Sequence, residues 1–245
     1  FDRRTMRPVT KLTIFIVYLA MIIVLVLASM EYIFSNRSIV QMQDGAMVIN
    51  TASNRLLNFM ICWEYMLIFY TRANGLRPWN SGLIAFRQTL ETHALQLMSQ
   101  DEDLQNRLQS SSNQDLIDNF FLKNYSLWLP EQDVTFSGGP VDTFIASRVL
   151  ENKYLKAARW ADDPTILNGD EDLLFGINNT CNEVLINSEQ QVKVTEKIVA
   201  DIISKNKTLV AILLALETIA VSSVVLFLLL LIRVILQSYS KLFTV

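Results

Sequence analysis

One histidine and two cysteines in 245 residues leave little from which to build an active site or a metal centre. His93 alone rules out a histidine metal cluster within the chain and gives one candidate base for a serine triad, with no nucleophile motif beside it. It lies next to Ala94 of an apolar helical seam and reads as a packed or surface histidine. The acids Asp162-Asp163 and Asp170-Glu171-Asp172, which flank Asn168-Gly169, lack EF-hand spacing, and those at 170–172 also suit the start of a helix, where they cap it and complement its dipole. No cofactor, metal or catalytic residue is therefore expected. Strands have almost no support, and neither repeats nor low-complexity tracts appear.

Charge is scarce too, at 18% against 51% hydrophobic residues, and the mean hydropathy is positive, which is too apolar for an ordinary soluble fold of this size. Leu12 to Met30 runs without a charge, and Leu209 to Ile232 carries only Glu217, so each is long enough to cross a bilayer. A cleaved signal peptide is the other reading of the first run, given Arg3, Arg4, Arg7 and Lys11 before it; the run is long for that role, and Glu31-Tyr32-Ile33-Phe34 offers no small-residue cleavage site. The chain opens on Phe1 and is expected to be a processed form or a piece of a longer polypeptide. A third apolar stretch, Leu56 to Tyr70, is interrupted by Asn58 and Glu64 and suits a buried helix better than a crossing.

The basic residues before the first run and Arg233 and Lys241 after the second place both tails, 1–11 and 233–245, in the cytoplasm, with 31–208 on the opposite face, extracellular or lumenal. That central domain carries 22 acidic and 15 basic residues, so nucleic acid is an unsuitable partner. The lipid bilayer and other membrane chains, or copies of this one, are the expected partners.

Within 31–208 the spacing predicts four helices. In helix A, Met42, Ala46, Ile49, Ser53, Leu56, Met60, Trp63, Leu67 and Tyr70 step alternately by four and three. Helix B follows the Asn74–Pro78 turn with Leu83, Phe86, Leu90, Ala94, Leu97, Leu104 and Leu108, and Asp101 fills the slot between Leu97 and Leu104. A broken helix C runs around 116–128 and again around 144–158, on either side of a breaker-rich loop at 130–140. Helix D runs from Asp170 into the second span. The expected fold class is all-α: two transmembrane helices continuous with an extramembrane up-down four-helix bundle.

Several residues stand out as candidate contacts. Cys62 and Cys181 fall at similar heights above the membrane and are either a disulfide between helices A and D or two buried thiols. Asn124 and Asn178 head the sequons best placed for glycosylation. Arg72, Arg77 and Arg87 surround the A–B turn, either as a clamp for an anionic ligand or as an ordinary capped helix end. Phe59, Trp63, Met66 and Tyr70 form a wide apolar face that would serve as an interface. Glu217 in a hydrocarbon span is costly and needs a second chain, a copy of itself, a proton, or a shallow position from which to snorkel, because the antiparallel first span offers only Ile22 and Ile23 at its depth.

A basic tail, a span, an outward helical bundle and a returning span resemble the sensory half of bacterial chemoreceptors and membrane histidine kinases. The resemblance rests on the 42–70 seam and on helix D running into 209–232, without a signature residue, and it implies an output module that the residues after Arg233 do not contain. Two functions stand open: a non-catalytic structural or interaction subunit of a larger membrane assembly, and a sensory receptor whose ectodomain binds a small molecule or a partner. A pore-forming subunit with Glu217 lining the path is a lesser reading, and enzymatic activity is not expected.

Overall fold

The computed structural model describes residues 3–76, 83–111, 113–123, 125–129, 134–135, 141–160 and 170–243. The elements in chain order are α1 (Arg3–Ala73), α2 (Leu83–Ser110), α3 (Gln114–Phe121), the two-residue strands β1 (Trp128–Leu129) and β2 (Val134–Thr135), α4 (Thr143–Trp160), α5 (Glu171–Asn179), a π turn (Thr180–Val184) and α6 (Leu185–Phe243). The fold is all-α apart from the β1–β2 ladder, which pairs Trp128 with Thr135 and Leu129 with Val134, and a bridge between Tyr125 and Val141. That ladder falls in the connection expected to be irregular throughout. The chain divides into two compact units, Gln43–Ala200 and a second formed by Phe1–Met42 with Asp201–Val245.

Local chemistry sets the ends of the helices. Asn113 and Asp170 cap α3 and α5 by accepting backbone N–H bonds from Leu116 and Asp172, and Asp142 does the same for α4 through Ile145. α1 stops where Gly75 adopts φ +72°, with Leu76 N–H returning to the Thr71 carbonyl. Asp170 therefore acts as the cap that its position suggests, while Asp172 pairs with Lys153 and Lys156 of α4.

In the unit Gln43–Ala200, α2 packs on α4, and α4 on α3 and α5. Helix B is buried along the expected seam: Leu90, Ala94, Leu97, Asp101, Leu104 and Leu108 are all inside. On α1 the buried stripe is Val48, Ala52, Arg55, Phe59, Cys62, Met66 and Phe69, each one residue before the expected position. This is a rotation of about 100°. The expected seam is the less polar of the two, but the true one holds an arginine that finds an acid opposite.

The core falls into two apolar clusters. The larger joins Phe59, Cys62, Met66 and Phe69 to Leu90, Leu97, Leu150, Tyr154 and Phe175. The smaller gathers Val48, Ala52, Leu104, Leu108, Leu116, Phe120 and Phe144. On α1 and α2 a charged residue, Arg55 and Asp101, lies between the two sets, and on α4 Glu151 lies within the larger. Gly45 brings α1 and α6 close, since a Cβ there would meet Val199 at 2.8 Å.

The other unit contains the apolar lengths of α1 and α6. Two helices are long and apolar enough to cross a membrane by length and composition, and neither apolar window is buried within the protein. Gln41 accepts a hydrogen bond from Asn206 at 3.2 Å, and Glu31 lies near Glu217. Glu217 thus has a polar neighbour in its own chain, ten positions from the Gln41 contact along α1, and does not stand opposite Ile22 and Ile23.

Candidate functional site

Between the two apolar clusters lies a layer of buried charge. Arg55 is 1% exposed, Glu151 2% and Asp101 8%, on α1, α4 and α2 respectively. Burying such groups is expensive unless they are paired and hydrogen-bonded. Arg55 Nε donates to Asp101 Oδ1, its Nη1 to Ser188 Oγ at 3.3 Å and its Nη2 to the Thr143 carbonyl at 3.4 Å, and its guanidinium lies 4.8 Å above the Phe59 ring. The guanidinium so joins α1 to α2, α4 and α6. Alongside it, Gln191 donates to Thr143 Oγ1 at 2.6 Å and accepts from Tyr125 O–H at 3.0 Å, while Asn119 of α3 donates to Thr195 Oγ1 at 3.1 Å.

The second carboxyl gives the layer its chemistry. Glu151 accepts from Ser147 Oγ at 3.0 Å and has Asp101 as a charged neighbour. Burial first, then the neighbouring Asp101, push the Glu151 carboxyl up to about 8, against the opposing pull of Ser147 and Arg55. Glu151 accordingly holds its proton to a higher pH than an ordinary carboxyl does. Asp101 Oδ2 is buried and receives no hydrogen bond.

A cleft of about 610 Å³ opens onto these carboxyls between α2 and α4. Asp101 and Glu151 form its floor, Met98 and Phe144 supply apolar surface, and the exposed side chains of Glu102, Asn106 and Arg148 stand at its rim. Its volume falls within the range of small-molecule sites. Among the described residues no group of three or more metal-ligating side chains occurs.

The residues singled out from sequence are placed differently. Both cysteines are free, Cys62 buried in the larger cluster and Cys181 exposed on the π turn, so they form neither the disulfide nor the pair of buried thiols that their positions allow. The rotation of α1 turns Cys62 inward. Burial, then the neighbouring Glu151, push the Cys62 thiol up to about 12. Phe59 and Met66 are fully buried, Trp63 is half-buried and Tyr70 packs against the core, so this face is spent inside the domain and is not an exposed interface. Asn178 sits half-buried in the last turn of α5 and Thr180 is buried against Tyr154, unlike the surface loop that a glycosylation acceptor needs; Asn124 lies outside the described residues. Arg72 stacks over the Phe86 ring at 4.7 Å, Arg87 is half-buried on α2, and Arg77 lies outside the described residues along with 162, 163, 168 and 169. His93 is half-buried and shares a 2.8 Å hydrogen bond with Asn58.

Sequence reasoning found Asp101 as a charge in a seam but missed Arg55 and Glu151. The available signal was one charge set into each of three apolar seams. Comparison of the chain with protein-family models, curated proteins and solved structures yields no match.

Proposed function

We propose that the protein is a non-catalytic, membrane-anchored sensory receptor whose ectodomain binds a small polar molecule in the α2–α4 cleft. The observation behind this is the cleft of about 610 Å³ that ends on two buried carboxyls. In this reading the ectodomain is a four-helix bundle standing on a transmembrane hairpin, both termini are cytoplasmic, and a ligand that moves α4 against α1 and α2 shifts the long helices that lead to the spans. The alternative, a structural subunit of a larger assembly, loses the 56–70 face as its interface but keeps Leu57 and Met60, 53% and 50% exposed, as an outward apolar turn of α1.

The two readings separate when the full chain is placed in lipid nanodiscs and its melting temperature is followed against a panel of small polar metabolites. For the receptor, at least one compound raises the wild-type value, and Asn106→Trp at the cleft rim abolishes the rise. No shift with any compound, combined with fixed-ratio recovery of other membrane chains cross-linked through Leu57 and Met60, would replace the receptor with the structural subunit.

A further inference from the structure

The walls of the α2–α4 cleft carry polar side chains that the fold does not use. Ser99, Glu102, Gln105, Asn106 and Gln109 recur along one face of α2, and Arg148 stands across the cleft on α4. Among the described residues none of the six makes a side-chain hydrogen bond or an ion pair, and Glu102 and Arg148 do not pair with each other. Elsewhere on the same unit such groups bond along a helix, as Gln114 does with Asp118, Asn187 with Glu183 and Arg107 with Asp103. Ser99 to Gln109 covers about 15 Å of helix, so the row suits a ligand with polar groups spread along its length. We infer that the cleft takes a neutral polyhydroxylated molecule, a mono- or disaccharide, held by the amides of Gln105, Asn106 and Gln109 between Glu102 and Arg148. This rests on the cleft being the ligand site.

Three of the six are amides, and that decides the ligand class. An amide both donates and accepts from one planar end, which matches a pair of neighbouring hydroxyls with two parallel hydrogen bonds. The Glu102 carboxylate and the Arg148 guanidinium are planar in the same way, and Ser99 adds a hydroxyl. Charge points in the same direction. An anionic ligand would face Glu102 and the carboxyls of the floor, and a cationic one would face Arg148 with Arg55 beneath. The floor has little to offset either repulsion, because Asp101 is spent on Arg55 and Glu151 on Ser147. A neutral ligand meets neither. Met98 and Phe144 supply apolar surface for the C–H face that a pyranose ring presents beside its hydroxyls, and about 610 Å³ has room for one or two such rings.

The test uses the full chain in nanodiscs, with glucose, galactose, maltose and cellobiose as probes at low millimolar concentration, far below the range in which sugars act as excluded osmolytes. Glycine betaine, succinate and butylamine are the zwitterionic, anionic and cationic counterparts. At least one saccharide is expected to raise the melting temperature, and none of the charged compounds is. Asn106→Ala and Gln109→Ala should each weaken the apparent affinity roughly threefold to tenfold and leave the ligand-free melt unchanged, since neither side chain bonds within the fold. Asn106→Trp should abolish the response. A saccharide shift that survives Asn106→Trp, or that neither alanine substitution weakens, overturns the inference, as does equal stabilisation by any of the charged compounds. If no saccharide acts while a charged compound gives a shift that Asn106→Trp abolishes, this inference falls and the receptor reading stands. If nothing shifts the melt, both fall.

Discussion

Arg55 shows how a charge can be retained in a helical core. Its guanidinium bonds to three other helices, through Asp101, Ser188 and the Thr143 carbonyl, so removing it leaves a buried aspartate without its counter-ion. Arg55→Ala should lower stability by about 3–5 kcal/mol, whereas Arg55→Met combined with Asp101→Leu should recover most of that loss, because an apolar pair of similar volume carries no desolvation cost. Thermal unfolding in nanodiscs checks both, and a double variant as unstable as the single would mean that the layer holds the fold by geometry instead. Glu151 makes a separate prediction in pH. Its folded carboxyl is raised from 4.5 to about 8, so the folded state holds a proton that the unfolded chain gives up. The stability tied to that proton is complete below pH about 4.5 and is lost as pH rises through about 8. Between pH 5 and 9 the wild-type melting temperature should fall, and Glu151→Gln should flatten the curve, with a gain on the order of a few kcal/mol at the alkaline end. A wild-type curve that rises over this range would show that Glu151 is ionised in the fold.

At the scale of elements, close approach matters as much as apolar area. A methyl on Gly45 would press on the branched Val199 at 2.8 and 3.0 Å, and a valine cannot swing aside. A methyl on Gly176 would meet only the flexible end of Met66, at 2.5 Å. Gly45→Ala should therefore cost about 1–3 kcal/mol through overpacking, less the roughly 1 kcal/mol of helix propensity it gains, while Gly176→Ala should be close to neutral. Adding Val199→Ala should relieve Gly45→Ala, and thermal melts of the four variants test the coupling. Much of this layer was legible in the sequence. The seam of α2, the cap at Asp170 and the break between α3 and α4 all follow from periodicity and turn chemistry. The face of α1 did not, because a rule that prefers the least polar stripe turns away from Arg55, Asn58 and Thr51, all of which are buried with partners on α2. The cleft was hidden for the same reason. Asp101, Arg55 and Glu151 each look like a flaw in a separate helix, and only their meeting makes them a site. The closeness of Glu31 and Glu217 depends on the register between two helices, which no periodicity within either one can supply.

For the whole molecule, the proposed orientation rests on Arg3, Arg4, Arg7 and Lys11 before the first apolar run and Arg233 and Lys241 after the second. The two cysteines provide a way to test both that orientation and the fold of the unit Gln43–Ala200. Cys181 is exposed, whereas Cys62 is buried with a thiol pushed up to about 12, and only the thiolate of an accessible cysteine reacts quickly with a maleimide. A membrane-impermeant maleimide applied to intact cells should label one site, Cys181, and leave Cys62 unmodified until the protein is denatured. A Lys241→Cys variant should gain a second label only after the membrane is permeabilised. Two labels on intact cells would place the tail outside and remove the proposed topology. Labelling that appears only after reduction would mean that Cys62 and Cys181 are joined, which requires α1 to turn Cys62 out of the core it shares with Phe59 and Met66. Labelling of Cys181 alone would place the 43–200 unit outside with its core closed, the state in which the α2–α4 cleft faces the medium from which a ligand must come.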